Sequence, residues 1–297
     1  MSFAVGEAET LGLVGESGSG KSMTCLSILR LVPRPAARIV SGSVRLDGEE
    51  LLAKSEREMQ RIRGKKLAMI LQDPMSSLNP VFSIGMQLRE PLAVHQGLAG
   101  RALTERAIAL LTAVGISSPA ARLAAYPHQL SGGMRQRVVG AMAISAPPRL
   151  LLADEPTTSL DLTIQAQYLR LLKELQARYR LAMIFVTHNL GIVAKMCDRV
   201  AVMYAGRIVE AGPVETIFAA PAHPYTRALL DSVPRLGDLR ERLTAIEGQP
   251  PDLAALPAGC AFHPRCPQAM DRCRTEIPPD FALDARHAAR CWLHASR

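Results

Sequence analysis

The first residues with readable chemistry are Gly15-Glu16-Ser17-Gly18-Ser19-Gly20-Lys21-Ser22. They satisfy G-x-x-x-x-G-K-S/T, the spacing of a phosphate-binding loop. The glycines let the backbone turn tightly and aim its N–H groups inward at a polyphosphate. Lys21 is placed to reach the β- and γ-phosphates, and the Ser22 hydroxyl to ligate Mg²⁺. Glu16, Ser17 and Ser19 fill the variable positions. The loop needs a strand before it and a helix after it. The apolar run Thr10-Leu11-Gly12-Leu13-Val14 reads as the buried strand. Met23 to Leu31 reads as the helix, whose positive dipole end favours the same anion.

Three further stretches carry chemistry. Leu150-Leu151-Leu152-Ala153-Asp154-Glu155 is a buried strand that ends in acids. Its carboxylates fall at the C-terminal edge of a sheet, where ligand sites of α/β folds lie. Asp154 is suited to hold Mg²⁺, directly or through water, and Glu155 to polarise an attacking water as general base. Leu130-Ser131-Gly132-Gly133-Met134-Arg135-Gln136-Arg137 places Ser131 as N-cap of a helix, a second backbone anion site. A domain with one nucleotide has little use for two such sites. His188 stands just past the apolar strand Leu181–Thr187, and Gln72 just past the strand Leu67–Leu71.

Strands alternating with helices predict an α/β fold with a mainly parallel sheet. Helices over 84–95, 101–114 and 132–145 follow one another with no strand between, so 83–147 reads as an inserted helical subdomain. Ala205-Gly206 between two apolar runs is a hairpin signal. A nucleotide-binding domain is therefore expected over 1–213. A small irregular extension is expected over 214–297, with Pro/Gly-rich linkers at Glu247–Pro251 and Leu256–Gly259.

Bulk properties bound the function. The 297 residues allow a sizeable core, and aromatics at 4% make it aliphatic. No apolar run approaches the ~18 residues of a membrane span. No basic, apolar leader opens the chain, so a cytosolic chain is expected unless something docks it to a membrane. The net charge of +8 suits nucleic acid, or a nucleotide site beside an anionic membrane surface. The basic residues form no dense run and no aromatic interleaving, which disfavours nucleic acid.

Cys25 and Cys197 lie in apolar stretches and read as packing residues. Cys260, Cys266, Cys273 and Cys291 crowd into the C-terminal tail with spacing C-x5-C-x6-C-x17-C. Clustered cysteines in a cytosolic chain point to metal before disulfides. Four thiolates suit zinc or an iron–sulfur cluster, and C-x2-C knuckles are absent. His263, His287 and His294 lie nearby and read as surface or packing residues.

The signature-like Ser131-Gly132-Gly133 makes the sequence resemble ABC-type ATPases, which have a RecA-like P-loop NTPase core. The other family motifs match in order: Gln72 as the Q-loop glutamine, Ser159-Leu160-Asp161 as the D-loop, His188 as the switch histidine. Gln72 to Pro80, Tyr126 to Met134, His223-Pro224-Tyr225-Thr226 and the cysteine tail resemble the ATP-binding subunit of dipeptide/oligopeptide (or nickel) ABC importers. That resemblance runs over nearly the whole chain. It implies head-to-tail dimers with a second ATPase subunit, like or unlike, that close on ATP and open on hydrolysis. Gly15 to Ser22, Gln72, Asp154, Glu155 and His188 would serve one ATP, with Ser22, Gln72 and Asp154 holding Mg²⁺. Ser131, Gly132 and Gly133 would serve the partner's ATP. Two membrane permeases, fed by a solute-binding protein, would contact the loop near Gln72–Asn79 and the helical block. The subunit would sit at the cytoplasmic face of the cell membrane. The family resemblance also implies a four-iron, four-sulfur cluster on Cys260, Cys266, Cys273 and Cys291, with zinc or a metal-free or disulfide-bonded tail as alternatives.

One departure concerns adenine. The family stacks it on an aromatic residue upstream of the loop, where this chain has only Phe3, too close to serve; the chain reads as roughly thirty residues short of its relatives at the N-terminus. Two rival functions are a soluble ABC-type ATPase acting on DNA or ribosomes and a subunit without turnover. The first calls for a coiled-coil insertion or tandem cassettes, which are lacking. The second conflicts with the presence of Lys21, Asp154, Glu155 and His188.

Overall fold

A computed structural model of the chain describes residues 1–73, 77–158, 160–233 and 245–295. Strand β1 (Thr10–Val14) leads through the glycine loop into α1 (Lys21–Leu29). The strand pair β2 (Arg45–Leu46) and β3 (Glu49–Glu50) is followed by α2 (Glu56–Ile62) and β4 (Leu67–Ile70). Then come α3 (Ile84–Gln96), α4 (Gly100–Ala113), α5 (Pro119–Arg122) and α6 (Gly132–Ala143), the helical block read from the sequence. Alternation resumes with β5 (Leu150–Asp154), α7 (Leu162–Tyr179), β6 (Ala182–Val186) and α8 (Leu190–Met196). The strands β7 (Arg199–Tyr204) and β8 (Arg207–Pro213) form a hairpin, followed by α9 (Val214–Ala219) and α10 (Pro224–Asp231). The C-terminal stretch holds α11 (Asp271–Thr275), β9 (Phe281–Ala282) and β10 (Ala288–Ala289).

The chain divides into two compact units. One comprises Met1–Val5, Thr10–Ser22 and Phe185–Arg297, and the other Gly6–Glu9 and Met23–Ile184.

In the first unit β1 runs parallel to β7, with Leu11 opposite Arg199 and Val14 opposite Val202. Both strands are buried almost throughout, as expected of parallel strands covered on both faces. The β7–β8 hairpin turns on Ala205 and Gly206, with φ of 47° and 77°. Two left-handed residues make the turn whose twist matches the flanking strands. β10 then pairs antiparallel with both β8 and β9. Tyr204, Tyr225 and Phe262 sit inside the aliphatic core of this unit, with ring centroids 4.6–5.3 Å apart. The C-terminal stretch is therefore built into this unit's core through Phe262.

In the second unit β4 and β5 are parallel, Leu67 opposite Leu150. Its helices start where capping chemistry predicts. Ser55 and Glu58 close a capping box on α2, Ser83 caps α3, and Asp161 caps α7 by accepting from Thr163 and Ile164 N–H. The Gln87 carboxamide donates to the Asn79 and Phe82 carbonyls, each at 3.0 Å, and fixes the turn before α3.

Several short elements were not read from the sequence: the helices α5, α8, α9 and α11 and the two-residue strands β3, β9 and β10. The signal for α8 was available: Asn189 accepts from the Gly191 and Ile192 N–H groups as its cap, ahead of apolar Leu190, Val193 and Met196. Cys25 is fully buried, and burial first, then the Asp154 carboxylate, raises its thiol to about 12. Cys197 is half-buried.

One polar centre ties the C-terminal strands to the rest of the first unit. The Glu210 carboxylate on β8 is 1% exposed. It accepts from Ala222 N at 2.7 Å, His223 N at 2.8 Å and His287 Nε2 at 2.8 Å. Removing it leaves three donors, two of them buried, without their acceptor. Glu210→Ala is therefore expected to cost about 3–5 kcal/mol, read as a lowered urea midpoint, whereas a surface acid such as Glu215 should shift it by less than about 0.5 kcal/mol.

Candidate nucleotide site

The phosphate loop lies wholly in the first unit. Its geometry comes from a bulge in the neighbouring hairpin, where the β7–β8 register shifts between Val202 and Met203. Bulges re-aim the backbone beside functional sites. Here the Met203 carbonyl points at Gly15, so close that a Cβ on Gly15 would lie 2.1 Å from it. Gly15 also has φ +151°, so only glycine fits. The hairpin tip adds a hydrogen bond, Gly206 N to Ser19 O at 2.9 Å. Gly18 differs: its φ is +79° and nothing lies within 4 Å of its would-be Cβ, so it faces open space. The Lys21 ammonium is held within the loop, donating to Gly15 O at 2.8 Å and Glu16 O at 2.9 Å. It is 7% exposed, a buried cation where a polyphosphate would lie. His188 belongs to the same unit, just beyond β6, and is exposed.

The acids and Gln72 lie in the second unit. Asp154 ends β5 and is 4% exposed. Glu155 follows with φ 45°, a left-handed conformation that costs a non-glycine residue about 1–2 kcal/mol. Strain of that kind persists where the surroundings over-determine it, often at active sites. Its Oε2 accepts from Gln72 Nε2 at 3.2 Å and Thr158 Oγ1 at 2.9 Å. The structure thus brings together two residues 83 apart in sequence that were singled out separately. Residues 74–76 of the Q-loop and Ser159 of the D-loop lie outside the described residues.

Ser131 caps α6 by accepting from Met134 N, and both Ser131 and Gly132 are exposed. The two glycines are not equivalent. A Cβ on Gly133 would lie 2.6 Å from the Ile164 Cγ2 of α7, whereas Gly132 has nothing within 4 Å. Gly133 is needed for packing within this chain. Gly132 leaves open space on an exposed helix start, with N–H groups available to a ligand from outside.

All four tail cysteines line one small pocket in the first unit, with Phe262, Trp292 and Leu293. Burial raises the Cys260, Cys266 and Cys291 thiols, the last to about 11, and each is raised further by neighbouring cysteines. Among the described residues no group of three or more His, Cys, Asp or Glu side chains converges on a single metal ion. The nearby histidines are engaged elsewhere: His287 with Glu210, His263 Nδ1 with Cys260 O, and His294 Nε2 with Ala222 O.

Sequence reasoning missed how the loop is held from its flank. Glu16, a variable position, is bound by Tyr225 and Arg265. The His223-Pro224-Tyr225-Thr226 motif was visible without a role. No spacing rule ties Arg265 to a loop 249 residues away.

A strand–glycine loop–helix with a buried lysine, and a strained glutamate after a buried strand, define a P-loop nucleotide-hydrolysing fold. Residues 1–158 match the ABC transporter family, and residues 209–273 match the C-terminal region of oligopeptide/dipeptide transporters. A putative peptide import ATP-binding protein of Brucella melitensis is 52% identical over 97% of this chain and 89% of its own length. The oligopeptide transport ATP-binding protein of Bacillus subtilis is 50% identical over 99% of this chain and 82% of its own. For the dipeptide transport ATP-binding protein of Escherichia coli the figures are 49%, 98% and 89%. An ATP-binding cassette solved as a dimer bound to ADP and Pi is 27% identical, with TM-score 0.63 over 71% of this chain and 88% of that one. The chain belongs to the ABC transporter family, among its peptide-importer ATP-binding subunits. Subunits of this class are ATPases coupled to transport.

The unequal glycines give a test. Gly133→Ala is expected to lower stability by about 1–3 kcal/mol through overpacking against Ile164. Gly132→Ala should leave the thermal midpoint at or slightly above that of the unmodified chain, yet reduce ATP turnover. Equal stability losses in the two variants would contradict the assignment.

Proposed function

We propose that this chain is the ATP-hydrolysing subunit of a peptide importer. The observation that carries the reading is the joint match: an ABC cassette with its phosphate loop, followed by the oligopeptide/dipeptide-transporter C-terminal region over 209–273. Relatives named for peptide, oligopeptide and dipeptide transport agree with it at about half identity. The relatives named above and the C-terminal family match point to peptides rather than nickel.

The residue roles follow from chemistry. The loop Gly15 to Ser22 takes the phosphates through backbone N–H groups and Lys21. Ser22, Gln72 and Asp154 are the residues that would hold Mg²⁺, which would offset the phosphate charge. Glu155 is the general base for the attacking water, its carboxylate oriented by Gln72 and Thr158. His188 completes the hydrolytic set. Ser131, Gly132 and Gly133 close over the ATP of a second ATPase subunit, which accounts for the open space at Gly132. The dimeric cassettes among the structural relatives support such a partner.

The subunit works at the cytoplasmic face of the membrane, against two permeases served by a solute-binding protein. Among the described residues no helix is long and apolar enough to cross a membrane. Val81, Phe82 and Met86, at 70%, 44% and 56% exposure, place apolar side chains at the start of the helical block. An exposed apolar group of this kind suits a protein interface.

Four clustered thiols suit an iron–sulfur cluster or zinc by ligand type. Zinc needs four thiolates within about 2.3 Å of a single point. All four thiols line one pocket, although among the described residues no group of three or more ligating side chains is arranged around a metal ion. An iron–sulfur cluster spreads its ligands over several irons, and a bound cation offsets the cost of ionising buried thiols. We assign Cys260, Cys266, Cys273 and Cys291 as its ligands.

Glu155→Gln is expected to lower ATP turnover by about 10²–10⁴-fold, as for loss of a general base, while Mg-ATP binding persists. Undiminished turnover would remove Glu155 from that role. Protein purified without oxygen should carry iron and acid-labile sulfide with visible charge-transfer absorption, both lost in Cys266→Ser. Zinc, or no metal, in elemental analysis would reject the cluster.

A further inference from the structure

Glu16 is an anion inside an anion-binding loop. A carboxylate there repels a polyphosphate unless it is turned away and neutralised. Both conditions are met within the first unit. Arg265 reaches Glu16 with its two terminal nitrogens, Nη1 to Oε2 at 2.7 Å and Nη2 to Oε1 at 3.0 Å. This is the bidentate fork that makes arginine–carboxylate pairs strong and directional. The arginine side chain is 4% exposed and the glutamate 26%. From the other side the Glu16 N–H donates to the Tyr225 hydroxyl at 2.9 Å.

Arg265 is itself immobilised. Its Nε donates to Glu247 O at 2.9 Å, and its guanidinium lies near the rings of Tyr204 and Phe262, 5.8 and 6.0 Å from their centroids. Hydrogen bonding to Glu16 holds its pKa above the ordinary arginine value. It directly precedes Cys266, so the four-cysteine stretch and the His-Pro-Tyr-Thr helix both end on one residue of the phosphate loop.

We propose that Arg265 is a positioning residue for ATP: it neutralises Glu16 and holds that carboxylate away from the phosphates, with Tyr225 anchoring the same peptide. The proposal rests on the reading of Gly15–Ser22 as the phosphate site. It concerns the loop's affinity rather than the chemical step. Arg265 touches neither nucleotide nor attacking water, so its loss should appear in binding.

The test measures Mg-ATP affinity and steady-state turnover in the full-length chain and four variants. Arg265→Gln is expected to weaken ATP binding and raise KM by about tenfold, the size of a typical coupling between contacting charges. kcat at saturating ATP should stay within about twofold. Arg265→Lys, which keeps the charge but loses the fork, should fall between. Adding Glu16→Gln to Arg265→Gln removes the uncompensated carboxylate and should recover affinity to within about threefold of the unmodified chain. That variant also has no unpaired buried charge and is the one expected to fold if Arg265→Gln does not. Tyr225→Phe should weaken binding without changing the charge balance. Unchanged affinity in Arg265→Gln, a double variant as weak as the single, or a fall in kcat alone would overturn the proposal. An unmodified chain that fails to bind ATP would instead overturn the phosphate-site reading beneath it.

Discussion

The closest steric constraint in the phosphate site is the approach of the Met203 carbonyl to Gly15. It leaves no room for a Cβ, and it exists because the β7–β8 hairpin bulges at that residue. The loop is therefore shaped by its own scaffold, before any ligand arrives. The parallel pairing of β1 with β7 brings the hairpin alongside, and the left-handed turn at Ala205-Gly206 lets its tip bond Ser19. Lys21 is then aimed by the loop's own carbonyls. Preorganisation of this kind means that bound phosphate need not order the loop.

The C-terminal stretch earns its place by the same logic. Phe262 completes an aromatic cluster with Tyr204 and Tyr225. Glu210 gathers three donors from the segments around it. Between these two anchors, Arg265 and Tyr225 meet Glu16. A segment that looks peripheral by sequence position is thereby in direct contact with the loop. In the other unit, Glu155 holds a left-handed backbone while its carboxylate is shared by Gln72 and Thr158. The buried aliphatic strand β5 supplies the rigidity that makes this strain tolerable.

Much of this was legible in the sequence because it is local. The glycine spacing with Lys21 and Ser22 defines a loop through short-range backbone geometry. Ser131 and Ser55 announce helix starts through caps that reach only three residues. Apolar runs of four to six residues marked β1, β4, β5 and β6. The short helices α5, α8, α9 and α11 escaped, since so few residues give little periodicity to read.

The sequence by itself determined the nucleotide chemistry, the helical block and the family, because those depend on residue types at fixed, short spacings. Only the tertiary structure decided why Gly15 tolerates no side chain, which signature glycine serves packing and which faces outward, and what holds Glu16. Each of those rests on atoms far apart in the chain: Met203 on Gly15, Ile164 on Gly133, Arg265 and Tyr225 on Glu16. Close approach across such separations is set by strand register and core packing, and no spacing along the chain encodes it.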